Sequence, residues 1–307
     1  MLLTLDDNDL SQNLDLDSTV MSGRPLKKRM LAQLARAVQI LEQQHHVRPC
    51  LAVVQVGDHP ASSVYVRNKI LACKKTGVVS MLHELPGDTT DAELHALLER
   101  LNADPAVHGI LVQLPLPEHM DPQAAIQLIS PSKDVDGYHP VNLGDLMAGR
   151  GALEPCTPRG VMTMLRAYKV DLVGMHAVVV GRSMTVGRPM AQMLMRANAT
   201  VTVCHRFTKD LQEHVKRADL LVVATGVHNL IKGEWIKPGA TVIDVGITRL
   251  EDGSLSGDVD YDVARERARY ITPVPGGVGQ MTVATLLENT VRSACQTLGV
   301  EIDLRRA

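Results

Sequence analysis

The sequence predicts an α/β protein of two domains, each built on a parallel sheet. Three observations carry this reading. Short apolar runs of strand length alternate with stretches whose apolar residues recur every three or four positions. The runs are apolar throughout rather than alternating, as strands covered by helices on both faces must be. The alternation breaks once, over residues 130–158, where prolines 131, 140, 155 and 158 and glycines 137, 144, 149 and 151 gather. A stretch of that kind predicts a boundary between domains.

The elements follow in order. Leu26, Met30, Leu34, Val38 and Leu41 share one face of a helix. Cys50–Val56 is a buried strand, followed by the loop Gly57-Asp-His-Pro60. Ser62 or Ser63 can cap a helix running to about Thr76, with Gly77 just past its end. Residues 78–85 read as a strand, and Thr90-Asp-Ala-Glu93 is a capping box. Residues 107–112 are a further buried strand, and Asp121-Pro122 sets an N-cap before a first-turn proline. Beyond the boundary come a helix near 159–169, a strand at 176–180, a helix near 187–197 and a strand at 200–204. A helix near 208–217, strands at 219–224 and 240–245 and a last helix near 281–298 complete the pattern.

Composition excludes several classes. The 307 residues are 45% apolar and 21% charged, which suits a soluble globular chain rather than a disordered one. No apolar run approaches 18 residues, so no membrane span is expected. Only 2% of residues are aromatic, which argues against a base-stacking nucleic-acid module. The five cysteines are scattered, with no C-x-x-C pair and no Cys/His cluster at zinc spacing, so no metal site is expected. A reducing, cytoplasmic setting follows. The net charge of −2 is unevenly placed: residues 1–20 hold Asp6, Asp7, Asp9, Asp15 and Asp17 and no lysine or arginine. That predicts a disordered acidic extension ahead of a chain that begins working near Met21.

The strand at 176–180 ends at Gly181 and is followed by Arg182, Ser183 and Gly187 before an apolar helix. Strand, glycine turn and helix N-terminus form a cradle for a pyrophosphate, because backbone N–H groups and the helix dipole favour negative charge there. The spacing Gly-x-Ser-x-x-x-Gly is not the usual G-x-G-x-x-G, and any strand–turn–helix needs a glycine. The next strand ends at His205-Arg206, where an NAD enzyme would carry an acid for the ribose hydroxyl. A basic residue suits the 2′-phosphate of NADP instead. Arg206, with Arg182, is therefore the predicted NADP reader; a solvated surface arginine is the alternative.

Tyr65 and Lys69 lie four apart and share a helix face, which is also how an ordinary amphipathic edge looks. Gln113 ends a buried strand, where α/β proteins bind ligands. Asp134 and Asp136 lie in a loop rich in turn residues, so a turn role competes with a chemical one. Pro273-Val-Pro-Gly-Gly-Val-Gly279 would let a ligand approach backbone closely.

At these segments the chain resembles the bifunctional methylenetetrahydrofolate dehydrogenase/methenyltetrahydrofolate cyclohydrolase family. The matching stretches are Tyr65-Val-Arg-Asn-Lys69, Val112-Gln-Leu-Pro-Leu-Pro117, Lys133-Asp-Val-Asp-Gly137 and Pro155-Cys-Thr-Pro158. Val180-Gly-Arg-Ser183 with Val186-Gly187, Val242-Ile-Asp-Val-Gly-Ile247 and Thr272-Pro-Val-Pro-Gly-Gly-Val-Gly279 complete them, in family order over about residues 22–298. The resemblance implies a folate domain at 21–157 and 275–307 and a Rossmann-like NADP domain at 158–274, joined by helices around a cleft. It implies NADP-dependent oxidation of 5,10-methylenetetrahydrofolate, then hydrolysis of the methenyl product to 10-formyltetrahydrofolate. It implies Lys69 for proton transfer, Gln113 to orient it, Tyr65 to stack on the folate and Asp136 to accept from the pterin. Ser62, Leu114, Pro275, Gly276 and Gly277 join these on the folate side. Gly181, Arg182, Ser183, Arg206 and Ile247 face the cofactor, and the family is typically a homodimer. Two departures stand out: Gln280 replaces a proline usual in the family, and residues 1–20 have no family counterpart. The His205-Arg-Phe-Thr208 run, where many members read His-Ser-x-Thr, keeps a basic group for the 2′-phosphate and supports NADP. A dehydrogenase without the hydrolytic step and an idle NADP-binding protein are the competing readings; Lys69 and Gln113 argue against the first, and Tyr65, Lys69, Gln113 and Asp136 together against the second.

Overall fold

The computed structural model describes residues 2–58, 60–151 and 153–305, with 60–64 described by backbone alone. The chain divides into two compact units. One holds Met1–Asp6, Arg29–Cys156 and Val283–Ala307; the other holds Asp7–Lys28 and Thr157–Thr282. Residues 21–28 and 275–282 thus group with the second unit rather than with the first, where the sequence reading put them.

The chain begins with β1 (Leu3–Thr4), α1 (Asp7–Ser11) and α2 (Gly23–His45). It continues through β2 (Cys50–Val56), α3 (Pro60–Thr76), β3 (Val79–Leu85), α4 (Asp91–Ala103), β4 (Gly109–Val112), α5 (Pro122–Leu128) and α6 (Pro140–Met147). β2 is buried along its whole length because β3 and β4 flank it, both parallel. α4 starts where the capping box predicts: Thr90 Oγ1 accepts from Glu93 N and the Glu93 carboxylate accepts from Thr90 N at 2.8 Å. Its Leu94, Leu97, Leu98 and Leu101 pack onto Ala52, Val54 and Ile110 of the sheet. Each such leucine contributes about 1.5–3 kcal/mol on burial. The ladder runs one residue past β4, with Gln113 N donating to Val54 O at 2.8 Å. Gln113 therefore leaves the sheet at the carboxyl end of its strands.

The second half of the chain runs α7 (Cys156–Ala167), β5 (His176–Val180), α8 (Gly187–Arg196), β6 (Thr200–Cys204), α9 (Leu211–Lys216) and β7 (Leu220–Val223). β8 (Thr241–Asp244), the hairpin strands β9 (Thr248–Arg249) and β10 (Leu255–Ser256), α10 (Tyr261–Arg267) and β11 (Tyr270–Ile271) follow. α11 (Gly279–Leu298) and β12 (Ile302–Asp303) end it. α9 is shorter than its sequence pattern suggests because Asp210 sits at φ 53°, a left-handed conformation that cannot continue a helix backwards. The five-stranded sheet has the order β11-β8-β7-β5-β6, all parallel. From β5 the chain moves outward to β6, then returns to the other side of β5 with β7. That reversal leaves a crevice at the carboxyl ends of β5 and β7, where open parallel sheets bind ligands. Among the described residues no helix is long and apolar enough to cross a membrane.

The first twenty residues differ from expectation. β1 pairs with β12 in parallel, Leu3 opposite Ile302, and Leu3, Leu5 and Leu10 are buried. Gln33 of α2 exchanges two hydrogen bonds with the Asp6 backbone, at 2.8 and 3.0 Å. Further on, the Tyr270 hydroxyl donates to Leu16 O and Met21 N donates to Ile271 O. The five aspartates suggest a solvated tail, but the three leucines of the same segment are buried and the backbone finds hydrogen bonds. Deleting residues 1–20 is therefore expected to lower the melting temperature by roughly 5–10 °C, the size set by losing that leucine burial. A calorimetric melt that does not move would show that the segment adds nothing to the fold.

Candidate active site

Lys69 and Tyr65 project from the same side of α3, one turn apart. Lys69 Nζ donates to Gln113 Oε1 at 2.9 Å, and Gln113 Nε2 donates to Leu114 O at 2.7 Å. The glutamine is thus gripped at its amide nitrogen and presents its oxygen to the lysine. Tyr65 is about half exposed, at 48%. The Ser62 side chain lies outside the described residues.

The loop after α5 separates its two aspartates by task. Asp134 accepts from Gly137 N, His139 N and Asn142 Nδ2, so it is consumed in closing the turn. Asp136 takes no part in those three bonds, and its carboxylate interacts instead with Lys69 and Cys156. Burial pushes its carboxyl up to about 6, against the pull of the nearby Lys69 ammonium. Burial also lowers Lys69 below the ordinary lysine range, while the nearby Asp136 carboxylate opposes that shift. Lys69 and Asp136 are thus electrostatically coupled, and a lysine held this way exchanges its proton at lower pH than a free one. Cys156 donates its thiol to Val135 O at 3.2 Å, and burial raises it far above the usual thiol value, so it stays protonated. A cavity of about 10 Å³, room for one water, touches Asp134, Asp136 and Tyr138 beneath the loop. Sequence reasoning passed over Cys156 as one of five scattered cysteines; the Pro155-Cys-Thr-Pro158 motif was the available signal.

The second unit carries the other group of predicted residues. Gly181 ends β5 at φ +121°, and a Cβ there would collide with Ala224 O; one at Gly187 would collide with Gly181 O. The turn is open only because both positions are glycine. Ser183 Oγ accepts from Val186 N and Gly187 N at 3.1 and 3.3 Å, so it caps the entry to α8. Arg206 follows β6, its guanidinium 4.7 Å over the Phe207 ring. Ile247 follows β8 and is 45% exposed. Gly246 and Gly257 back onto two buried carboxylates, Asp258 and Asp244. Asp258 Oδ2 accepts from Thr225 N, Thr225 Oγ1 and Gly226 N, and Asp244 accepts from Gly246, Asp258 and Val259 N–H groups. Those two acids shape the loops after β7 and β8, and the sequence reading did not single them out. Pro275, Gly276 and Gly277 form a turn closed by Gly277 N to Pro273 O and Gly23 N to Gly276 O. They belong to the second unit, whereas Lys69, Gln113, Leu114 and Asp136 belong to the first.

Two family models match the chain. The catalytic domain of tetrahydrofolate dehydrogenase/cyclohydrolase covers residues 21–136, and its NAD(P)-binding domain covers residues 155–298. The chain belongs to the tetrahydrofolate dehydrogenase/cyclohydrolase family. It is 56% identical over 279 residues to the bifunctional protein FolD of Neisseria gonorrhoeae, covering 91% of this chain and 98% of that one. The crystal structure of the FolD dehydrogenase/cyclohydrolase of Campylobacter jejuni is 49% identical and superposes with a TM-score of 0.88, covering 90% of this chain and 98% of that chain. The Trypanosoma brucei enzyme, solved with NADP and an inhibitor, is 42% identical with a TM-score of 0.88, over 92% and 98% of the two chains. Family membership makes the chain an α/β enzyme with an NADP-binding domain. The glycine cradle at Gly181 and Gly187 and the cation at Arg206 are chemically suited to that cofactor.

Proposed function

We propose that the chain oxidises 5,10-methylenetetrahydrofolate with NADP and then hydrolyses the methenyl product to 10-formyltetrahydrofolate. The observation that carries it is the part-buried Lys69–Gln113 hydrogen bond, with Asp136 electrostatically coupled to the lysine. When bound, NADP supplies a hydride acceptor, and the cation left behind is delocalised over two nitrogens, so no strong acid is needed for that step. The chain's task there is orientation. Gly181 and Ser183 would hold the pyrophosphate, Arg206 with Arg182 would meet the 2′-phosphate, and Ile247 would line the same cofactor. Tyr65 stacks on the folate. Asp136 accepts from the pterin's amino and ring N–H groups, and Ser62, Leu114, Pro275, Gly276 and Gly277 line the same ligand.

Hydrolysis requires water to lose a proton as it adds to the methenyl carbon and a ring nitrogen to gain one as the ring opens. Lys69 Nζ moves that proton, and Gln113 Oε1 keeps it aimed. We assign the folate role to residues 21–157 and 275–307 and the cofactor role to 158–274. A homodimer is favoured by β3, an edge strand that leaves Val79 and Leu82 more than a third exposed. A cytoplasmic setting is favoured by five free, buried cysteines.

The test follows the methenyl absorbance after purified protein meets methylenetetrahydrofolate and NADP. The expected trace rises and then decays faster than the uncatalysed hydrolysis. A flat trace would remove the enzymatic reading, and a rise that decays at the uncatalysed rate would leave a dehydrogenase alone.

A further inference from the structure

We propose that Asn289 of α11 is a positioning residue for the hydrolytic step, tying two loop backbones together so that Asp136 keeps its place near Lys69. The inference rests on the reading of Lys69 and Asp136 given above. Asn289 is fully buried and lies 153 positions beyond Asp136 in the chain. Its Nδ2 donates to Val135 O at 2.8 Å and to Glu154 O at 2.9 Å. Val135 directly precedes Asp136, and Glu154 precedes the Pro155-Cys156 pair.

The two loop segments touch closely. A Cβ on Gly137 would collide with the Glu154 carbonyl carbon and Pro155 N. Their direct backbone link is a long one, Cys156 N to Asp136 O at 3.3 Å. The asparagine amide supplies two shorter bonds across the same seam. The Ser293 hydroxyl, one turn further along α11, lies between His108 O at 2.5 Å and Ser132 O at 2.7 Å, beside the start of the same loop. The amide orientation is forced: a flipped group would set its oxygen against two carbonyls. The cost of this arrangement is visible, because Asn289 Oδ1 is buried with no partner among the described residues. An unpartnered buried oxygen is unfavourable, and here it accompanies two donors spent on one seam.

The consequence for chemistry follows from charge. Asp136 raises the proton affinity of Lys69 through space, and Lys69 lowers that of Asp136. A loop free to drift by a fraction of an ångström changes both. A merely structural asparagine would, when replaced, lower stability and leave the pH response of the reaction alone.

The experiment compares Asn289→Leu, the milder Asn289→Ser and the control Thr285→Val. Thr285 lies one turn earlier on α11, and its buried hydroxyl has no partner among the described residues. For each, kcat and KM of methenyl hydrolysis are measured from pH 6 to 9, together with the melting temperature and NADP affinity. Both Asn289 variants are expected to lose about 10- to 100-fold in kcat, as misplacement of a catalytic group does. Their pH–rate profile should be displaced and their NADP affinity unchanged, while Thr285→Val keeps the original profile. If Asn289→Leu does not fold, Asn289→Ser carries the comparison. An unchanged pH profile in a folded Asn289 variant overturns the proposal. Lys69→Ala run alongside separates the two levels. If it hydrolyses normally, the site reading fails and takes this inference with it. If it is inactive while the Asn289 profiles stay put, only the role of Asn289 fails.

Discussion

Lys69→Ala should lose methenyl hydrolysis by about 10²- to 10⁴-fold, the range that a positioned proton-transfer group contributes. NADP affinity should stay unchanged. The expectation comes from geometry first. Nζ is within hydrogen-bond distance of Gln113 Oε1 and electrostatically coupled to Asp136. The sign of the pH response follows. Burial makes the charged amine less favourable, so Lys69 gives up its proton at lower pH than a free lysine. Hydrolysis by wild type should therefore gain rate as pH rises toward that lowered value, and the alanine variant should lose this limb. Cofactor binding is insulated because Gly181, Ser183 and Arg206 belong to the other compact unit. Fluorescence titration with NADP checks this; weakened binding would contradict the division of labour between the units. Lys69→Met, which keeps the volume of the side chain, guards against a simple folding defect.

Arg206→Ala should raise KM for NADP by about 10- to 100-fold, the equivalent of losing one charge-assisted hydrogen bond to phosphate. KM for NAD should move by no more than about two-fold. Arg206 leaves β6 at the carboxyl end of the sheet, 25 positions after Gly181, where a dinucleotide fold reads the ribose of the adenosine half. Its guanidinium lies over Phe207, which restrains the side chain without using its N–H donors. The fork therefore remains available to a phosphate. Steady-state kinetics with both cofactors decide the matter, and an equal rise for both would sink the assignment. Arg206→Lys makes a useful companion, since it keeps the charge but loses the bidentate geometry.

Several parts of this site can be read directly from the chain. A spacing of four puts Tyr65 and Lys69 on one face, because a helix turns once in 3.6 residues. A strand ending in glycine before an apolar helix points to the cofactor cradle, because only that backbone leaves room for a phosphate. Other parts are silent in the sequence. Asp134 and Asp136 look alike in the turn-rich Lys133–Gly137 motif, and only the hydrogen bonds of Gly137, His139 and Asn142 show which one is spent on the turn. Cys156 looks like any buried thiol until its Sγ is found against Val135 O. The first twenty residues read as a solvated acidic tail because charge is easy to count, whereas a partner strand 299 positions away for Leu3 is not.

The sequence by itself determined the two-domain α/β class, the order of most strands and helices, and the family. These follow from periodicity, turn chemistry and short motifs, all of which act between near neighbours. The tertiary structure alone decided which carboxylate is spent on the turn, that Gln113 accepts from Lys69, that Asn289 bridges the seam beside Asp136, and that the N-terminal leucines are buried. Each of these depends on contacts between positions distant in the chain. Local physics sets no distance between them; the packing of whole elements does.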